Sequence, residues 1–204
     1  MKYIAFVLIL LLLFPGCVSS SMNDSHSILN ESTPIESGNN YEIYDISKYA
    51  QPFYQYFVFD NKREIMDSGI LEQSYPNFKS RDGILEIHIG YGTGVWQCRY
   101  YDANKKLVSV WFNQPHAFSN NLVVYAEPRW NDGDRTDFIV VRDIFHEDAY
   151  YSEFERPLKT SVPIVDAVFI NDGSQLKVTY LTGNDYDYNE VTEVLDLKTK
   201  VGTN

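Results

Sequence analysis

Tyr56-Phe57-Val58-Phe59-Asp60 is a strand-like run of aromatic and β-branched residues closed by an aspartate. The same form returns as Cys98-Arg99-Tyr100-Tyr101-Asp102, Ile139-Val140-Val141-Arg142-Asp143 and Thr192-Glu193-Val194-Leu195-Asp196. The first three aspartates are 42 and 41 residues apart; the fourth lies 53 further on, so the last interval carries an insertion. A second unit precedes three of these runs: a short strand, a polar turn and another strand, in 77–90, 117–128 and 168–183. Asp82-Gly83, Asn120-Asn121, Asp132-Gly133 and Asp172-Gly173 are its turn signals and those of its neighbours.

Alternating runs rich in Tyr, Phe, Val and Ile fit pleated, half-buried strands. No segment beyond the first 16 residues keeps helical periodicity for a dozen residues, so the expected fold is all-β. Each unit spans about 41 residues and four short strands, the period of a β-propeller blade. Four such units fill residues 41–204. The first reads as lacking its opening strand, and the last has only a weak final strand in 198–201. Closure of a propeller would then pair 41–67 with 165–201. The alternative is an irregular antiparallel sandwich or an open stack of sheets.

Residues 1–16 read as a signal peptide: Lys2 near the start, an unbroken apolar run from Ile4 to Phe14, and small Gly16 before the cut. The run is shorter than the roughly 20 residues a spanning helix needs. Phe14-Pro15-Gly16-Cys17 resembles the bacterial lipobox, with Gly16 and Cys17 carrying the match. That resemblance implies that Cys17 is diacylated and becomes the mature N-terminus. The chain as a whole is similar to bacterial lipoproteins with a propeller-like body, which implies an exported, membrane-anchored location and a fold, and no activity. Residues 17–40 then comprise the lipidated cysteine and a Ser/Asn-rich tether, too poor in apolar groups to offset chain entropy. Its flexible part would span roughly 25–30 Å.

The net charge of −11, or −12 after loss of Lys2, disfavours a nucleic-acid partner. It also disfavours lying flat on anionic lipid, so contact with the membrane is expected through the anchor at Cys17. With Cys17 lipidated, Cys98 is the lone thiol, and its strand-like flanks read as those of a packed, reduced side chain. His26, His88, His116 and His146 are scattered, with no metal-ligand spacing between any two. Gly90-Tyr91-Gly92-Thr93-Gly94 is followed by strand-like residues, so it reads as a connection between strands; a phosphate loop would open a helix.

Two acidic loops, 131–137 and 184–190, carry closely spaced oxygen ligands: Asp132, Asp134 and Asp137 in one, Asp185, Asp187 and Asn189 in the other. Solvated acidic turns explain them, and calcium bridging is the sharper reading; no other cofactor is indicated. No nucleophile elbow, HExxH or paired-cysteine motif marks an enzyme, although two carboxylates on facing strands would suffice for a glycosidase. The expected function is a non-catalytic cell-envelope module that binds a protein or peptide through loops on rigid strands. A carbohydrate-binding module is the alternative, with Trp96, Trp111 and Trp130 as stacking residues if they share an exposed face. A glycoside or peptide hydrolase is the third reading.

Overall fold

Three two-residue turns set the register of the chain. Asp82 and Gly83 have φ of 53° and 78°, Asn120 and Asn121 51° and 62°, Asp132 and Gly133 50° and 91°. Positive φ at both central positions defines the type I′ turn, whose twist matches that of paired strands. The flanking residues pair directly, as Arg81 with Ile84, Ser119 with Leu122 and Asn131 with Asp134.

The computed structural model describes residues 33–47, 51–92, 94–146, 148–158, 163–183 and 187–197. It is all-β and consists of four antiparallel sheets in chain order. The first contains β1 (Glu36–Ser37), β2 (Tyr41–Asp45), β3 (Phe53–Phe59) and β4 (Ile65–Glu72). The second contains β5 (Asn77–Arg81), β6 (Ile84–Gly90) and β7 (Trp96–Asp102), then β8 (Leu107–Val108) and β9 (Phe112–Asn113), which both pair with β7. The third contains β10 (Ala117–Ser119), β11 (Leu122–Asn131), β12 (Asp134–Asp143) and β13 (Tyr151–Glu155). The fourth contains β14 (Ile164–Ile170), a 3-10 turn at Asn171–Gly173, β15 (Gln175–Gly183) and β16 (Tyr188–Asp196).

The first unit does have an opening hairpin, β1 with β2, so its sheet reaches back to Glu36, inside the stretch read from composition as tether. All described strand pairs of 41–67 lie within this sheet, and β14, β15 and β16 pair with one another. Among the described residues, 41–67 and 165–201 do not pair with one another, and β1 pairs with β2 at the edge that the last unit was expected to fill. The weak final strand in 198–201 lies outside the described residues.

The recurring aspartate follows or ends the third strand of each sheet, and at three of the four sites it is buried. Oδ1 of Asp60 accepts the backbone N–H groups of Lys62 and Glu64 (both 2.8 Å). Oδ1 of Asp102 accepts those of Asn104 and Lys105 (both 3.0 Å), and Oδ1 of Asp143 those of Phe145 and His146 (both 2.9 Å). A carboxylate in this position satisfies donors that the tight turn would otherwise leave unpaired. Asp196 is exposed and accepts from the side chain of Gln175.

Side chains alternate between two apolar clusters wherever both faces of a sheet are covered. In the third sheet, Val123, Tyr125 and Val140 join Ile84, Cys98 and Tyr100 of the second. Their neighbours Val124, Ile139 and Val141 join Ile164, Leu176 and Val178 of the fourth. In the second sheet, Leu85, Ile87 and Tyr101 face Tyr56 and Val58 of the first. Ile139, Val140 and Val141 are each fully buried, which is why this run reads as continuously apolar. Each such side chain stabilises the fold by roughly 1.5–3 kcal/mol. Among the described residues, every cluster joins consecutive sheets only.

Candidate functional site

The face of the second sheet that looks toward the third carries polar groups beside its apolar ones. Register places Arg81 beside Ile84, Lys79 beside Glu86 and Tyr100, and Asn77 beside His88, Cys98 and Phe112. The first two rows open into a cleft of about 540 Å³ lined by Lys79, Arg81, Ile84, Glu86, Tyr100 and Phe118. That volume lies within the range of small-ligand pockets, about 300–1,000 Å³.

Phe118, on β10, forms the aromatic floor. The Tyr100 ring stacks on it at 5.4 Å and 17°, and the Arg81 guanidinium lies over its face at 4.7 Å. A cation held on an aromatic face keeps its N–H groups available to an anion. Burial, followed by the charge of Glu86, raises the Tyr100 phenol above its ordinary range, so it remains a neutral hydrogen-bonding group. The cleft thus offers an apolar surface, two cations and one carboxylate.

Cys98 lies in the adjoining row and is 2% exposed. Its Sγ is 3.4 Å from Oε1 of Glu86, to which the thiol donates, and 3.7 Å from Nδ1 of His88. Burial and then Glu86 push the thiol pKa up, as expected of a packed, reduced side chain. Burial, aided by Lys79 and opposed by Glu86, lowers that of His88. The Trp96 ring lies nearly parallel to His88 at 6.0 Å, and His116 meets the same tryptophan edge-on at 5.6 Å.

Sequence spacing alone did not assemble Glu86, His88 and Cys98. The signal is in the register: the glycine-rich connection pairs Gly90 with Trp96, which fixes His88 opposite Cys98 and puts Glu86 two residues away on the same face. As expected, that connection joins two strands. Tyr91 N–H donates to Val95 and Val95 N–H to Gly92.

The other sequence-derived residues are dispersed. Trp96 packs against the cluster between the second and third sheets, and Trp111 against that between the first and second, with Arg99 over its ring at 5.6 Å. Trp130, near the end of β11, is 69% exposed. The three rings do not share a face. Asp132 occupies a hairpin tip, Asp134 starts β12, and Asp137 is paired with Arg135 at 2.7 Å. Asp134 and Asp137 are three positions apart on one strand and face opposite ways. Among the described residues, the acidic groups of this loop do not converge as a cation site. Asp187 precedes β16 and Asn189 pairs with Thr182, whereas Asp185 and Cys17 lie outside the described residues.

Fold and site together define an all-β protein of consecutive antiparallel sheets with an aromatic-floored, mixed-charge cleft between two of them. Comparison with known protein families, with characterised proteins and with solved structures finds no match for this chain.

Proposed function

We propose that this protein is an exported, lipid-anchored module of the bacterial cell envelope that binds a protein or peptide segment in the cleft between its second and third sheets. In this reading Cys17 carries the anchor, and the Ser/Asn-rich segment after it gives the body reach from the bilayer. The four sheets act as blades of a propeller-like body. The ~41-residue period, the third-strand aspartates and the shared clusters of consecutive sheets support that arrangement. Among the described residues no helix is long and apolar enough to cross a membrane.

The observation that carries the binding reading is the cleft itself. Lys79 and Arg81 beside Phe118 suit a segment presenting a carboxylate next to an apolar side chain. Charge-assisted hydrogen bonds would fix its orientation, and Phe118 and Ile84 would supply buried area.

The test places a photoreactive amino acid at Lys79, which lines the cleft, in the membrane-anchored protein. A defined cross-linked partner that disappears when Arg81→Glu is added is expected. Cross-linking that is absent, or indifferent to Arg81→Glu, would reject the cleft as the binding site. The exposed Trp130 favours a second reading, a carbohydrate-binding surface, and saccharide binding abolished by Trp130→Ala alone would move the assignment there.

A further inference from the structure

We infer that Glu86, His88 and Cys98 form a binding site for a borderline-soft transition-metal dication of the zinc type. This site goes beyond the peptide-binding reading and shares only Glu86 with it. One ligand atom from each residue lies within 4.8 Å of the other two.

The distances fit the metal. Zinc binds thiolate sulfur at ~2.3 Å and imidazole nitrogen at ~2.0–2.1 Å in a tetrahedron, so sulfur and nitrogen on one ion are separated by ~3.5 Å. Here Cys98 Sγ is 3.7 Å from His88 Nδ1 and 3.4 Å from Glu86 Oε1. Both pairs that include the sulfur are thus already spaced as edges of the coordination polyhedron, and the third pair, Glu86 with His88, lies within 4.8 Å. A thiolate with an imidazole and a carboxylate selects against calcium and magnesium, which take oxygen ligands.

The surroundings favour a formed site. His88 and Cys98 are directly paired across β6 and β7, and Trp96 lies parallel to the imidazole, so the ligand set rests on paired strands and not on a loop. Glu86 also lines the cleft, which gives the ion a path from solvent. Lys79, opposite Glu86 in register, opposes a cation. One thiolate and one carboxylate balance a dication, and the neutral imidazole leaves that balance unchanged. On binding, the Cys98 S–H bond breaks, its proton goes to solvent, and a sulfur–metal bond forms; no oxidant or reductant is involved.

The experiment uses the full chain with Cys17→Ser, which leaves Cys98 as the sole thiol. Metal-free protein is titrated with cobalt(II). The expected result is a sulfur-to-cobalt charge-transfer absorption that saturates at a single equivalent and is displaced by zinc. Cys98→Ser should abolish the band, while His88→Gln and Glu86→Gln weaken cobalt affinity at least roughly tenfold. Zinc should also raise the melting temperature of the parent and not that of His88→Gln, a readout that survives if Cys98→Ser folds poorly. Absence of the band at millimolar cobalt, a band that persists in Cys98→Ser, or a zinc-independent melting temperature would overturn the inference and leave the three residues as a packed hydrogen-bonded cluster. None of these readouts depends on a cleft partner.

Discussion

The hydroxyl of Tyr101, fully buried, donates a 2.7 Å hydrogen bond to Oδ2 of Asp67 across the interface between the first and second sheets. The same oxygen takes the Arg99 guanidinium at 3.0 Å, and Arg99 in turn donates to the Ser109 carbonyl at 2.8 Å. A polar network is therefore embedded in the cluster that joins the two sheets, and its groups satisfy one another.

This network makes the two ends of the Tyr101–Asp67 bond unequal. Tyr101→Phe removes one donor and leaves Asp67 with Arg99, so a loss of about 1 kcal/mol is expected. Asp67→Ala strands a buried hydroxyl and unpairs Arg99, and should cost about 2–3 kcal/mol. Urea unfolding with an unchanged slope would measure both; equal losses would contradict the network.

The ion pair of Asp60 with Lys106, at 2.6 Å, links the first and second sheets at another point. It holds the Asp60 carboxyl down to about 2, with the Lys106 hydrogen bond as the main cause and the turn N–H groups assisting. A lowered folded-state pKa gives stability that is complete above the ordinary carboxylate value of about 3.9 and is lost as pH falls through about 2. Asp60→Asn should therefore lower the melting temperature at neutral pH and flatten its decline between about pH 4 and pH 2. A variant whose melting curve parallels the parent's over that window would rule the pair out as a source of acid sensitivity.

Asp143 and Asp196 occupy equivalent positions in the repeat and should differ in worth. Asp143→Ala leaves the N–H groups of Phe145 and His146 without their acceptor in a part-buried turn, at a cost of about 1–2 kcal/mol. Asp196→Ala touches an exposed side chain and should change stability by less than about 0.5 kcal/mol. Chemical denaturation of the two variants side by side decides the point.

Trp130→Ala should leave folding within about 0.5 kcal/mol of the parent, because the ring is 69% exposed. Leu176→Ala, fully buried in the cluster between the third and fourth sheets, should cost about 2–5 kcal/mol. A large thermal shift for Trp130→Ala would mean that its ring is covered in solution.

Cys17→Ala should prevent stable lipidation and leave the precursor uncut at Gly16. Metabolic lipid labelling with cell fractionation reads this directly, and equal label in mutant and parent would refute the anchor.

The repeat was legible because strand alternation and positive-φ dipeptides are local signals. Asp82-Gly83, Asn120-Asn121 and Asp132-Gly133 each close the hairpin they announce. Glu36–Ser37 was not legible, since two residues carry no periodicity and β1 exists only through its pairing with β2. The last strand of the second sheet is likewise hard to read, because it breaks into β8 and β9 around Ser109, whose hydroxyl accepts the Tyr100 N–H. Phe118 joins Arg81 through packing between sheets, and Cys98 joins His88 through register; neither relation is written in local spacing.

The apolar clusters described above have a mechanical consequence. Each is shared by two consecutive sheets, so a load drawn along the chain meets them in series rather than all at once. Among the described residues the first and fourth sheets each share one cluster and the second and third each share two, and stability in such an arrangement is close to a sum over neighbouring interfaces. Under tension the first and fourth sheets would peel first while the pair that frames the cleft still holds. The molecule could then lengthen in steps without giving up what lies between its second and third sheets.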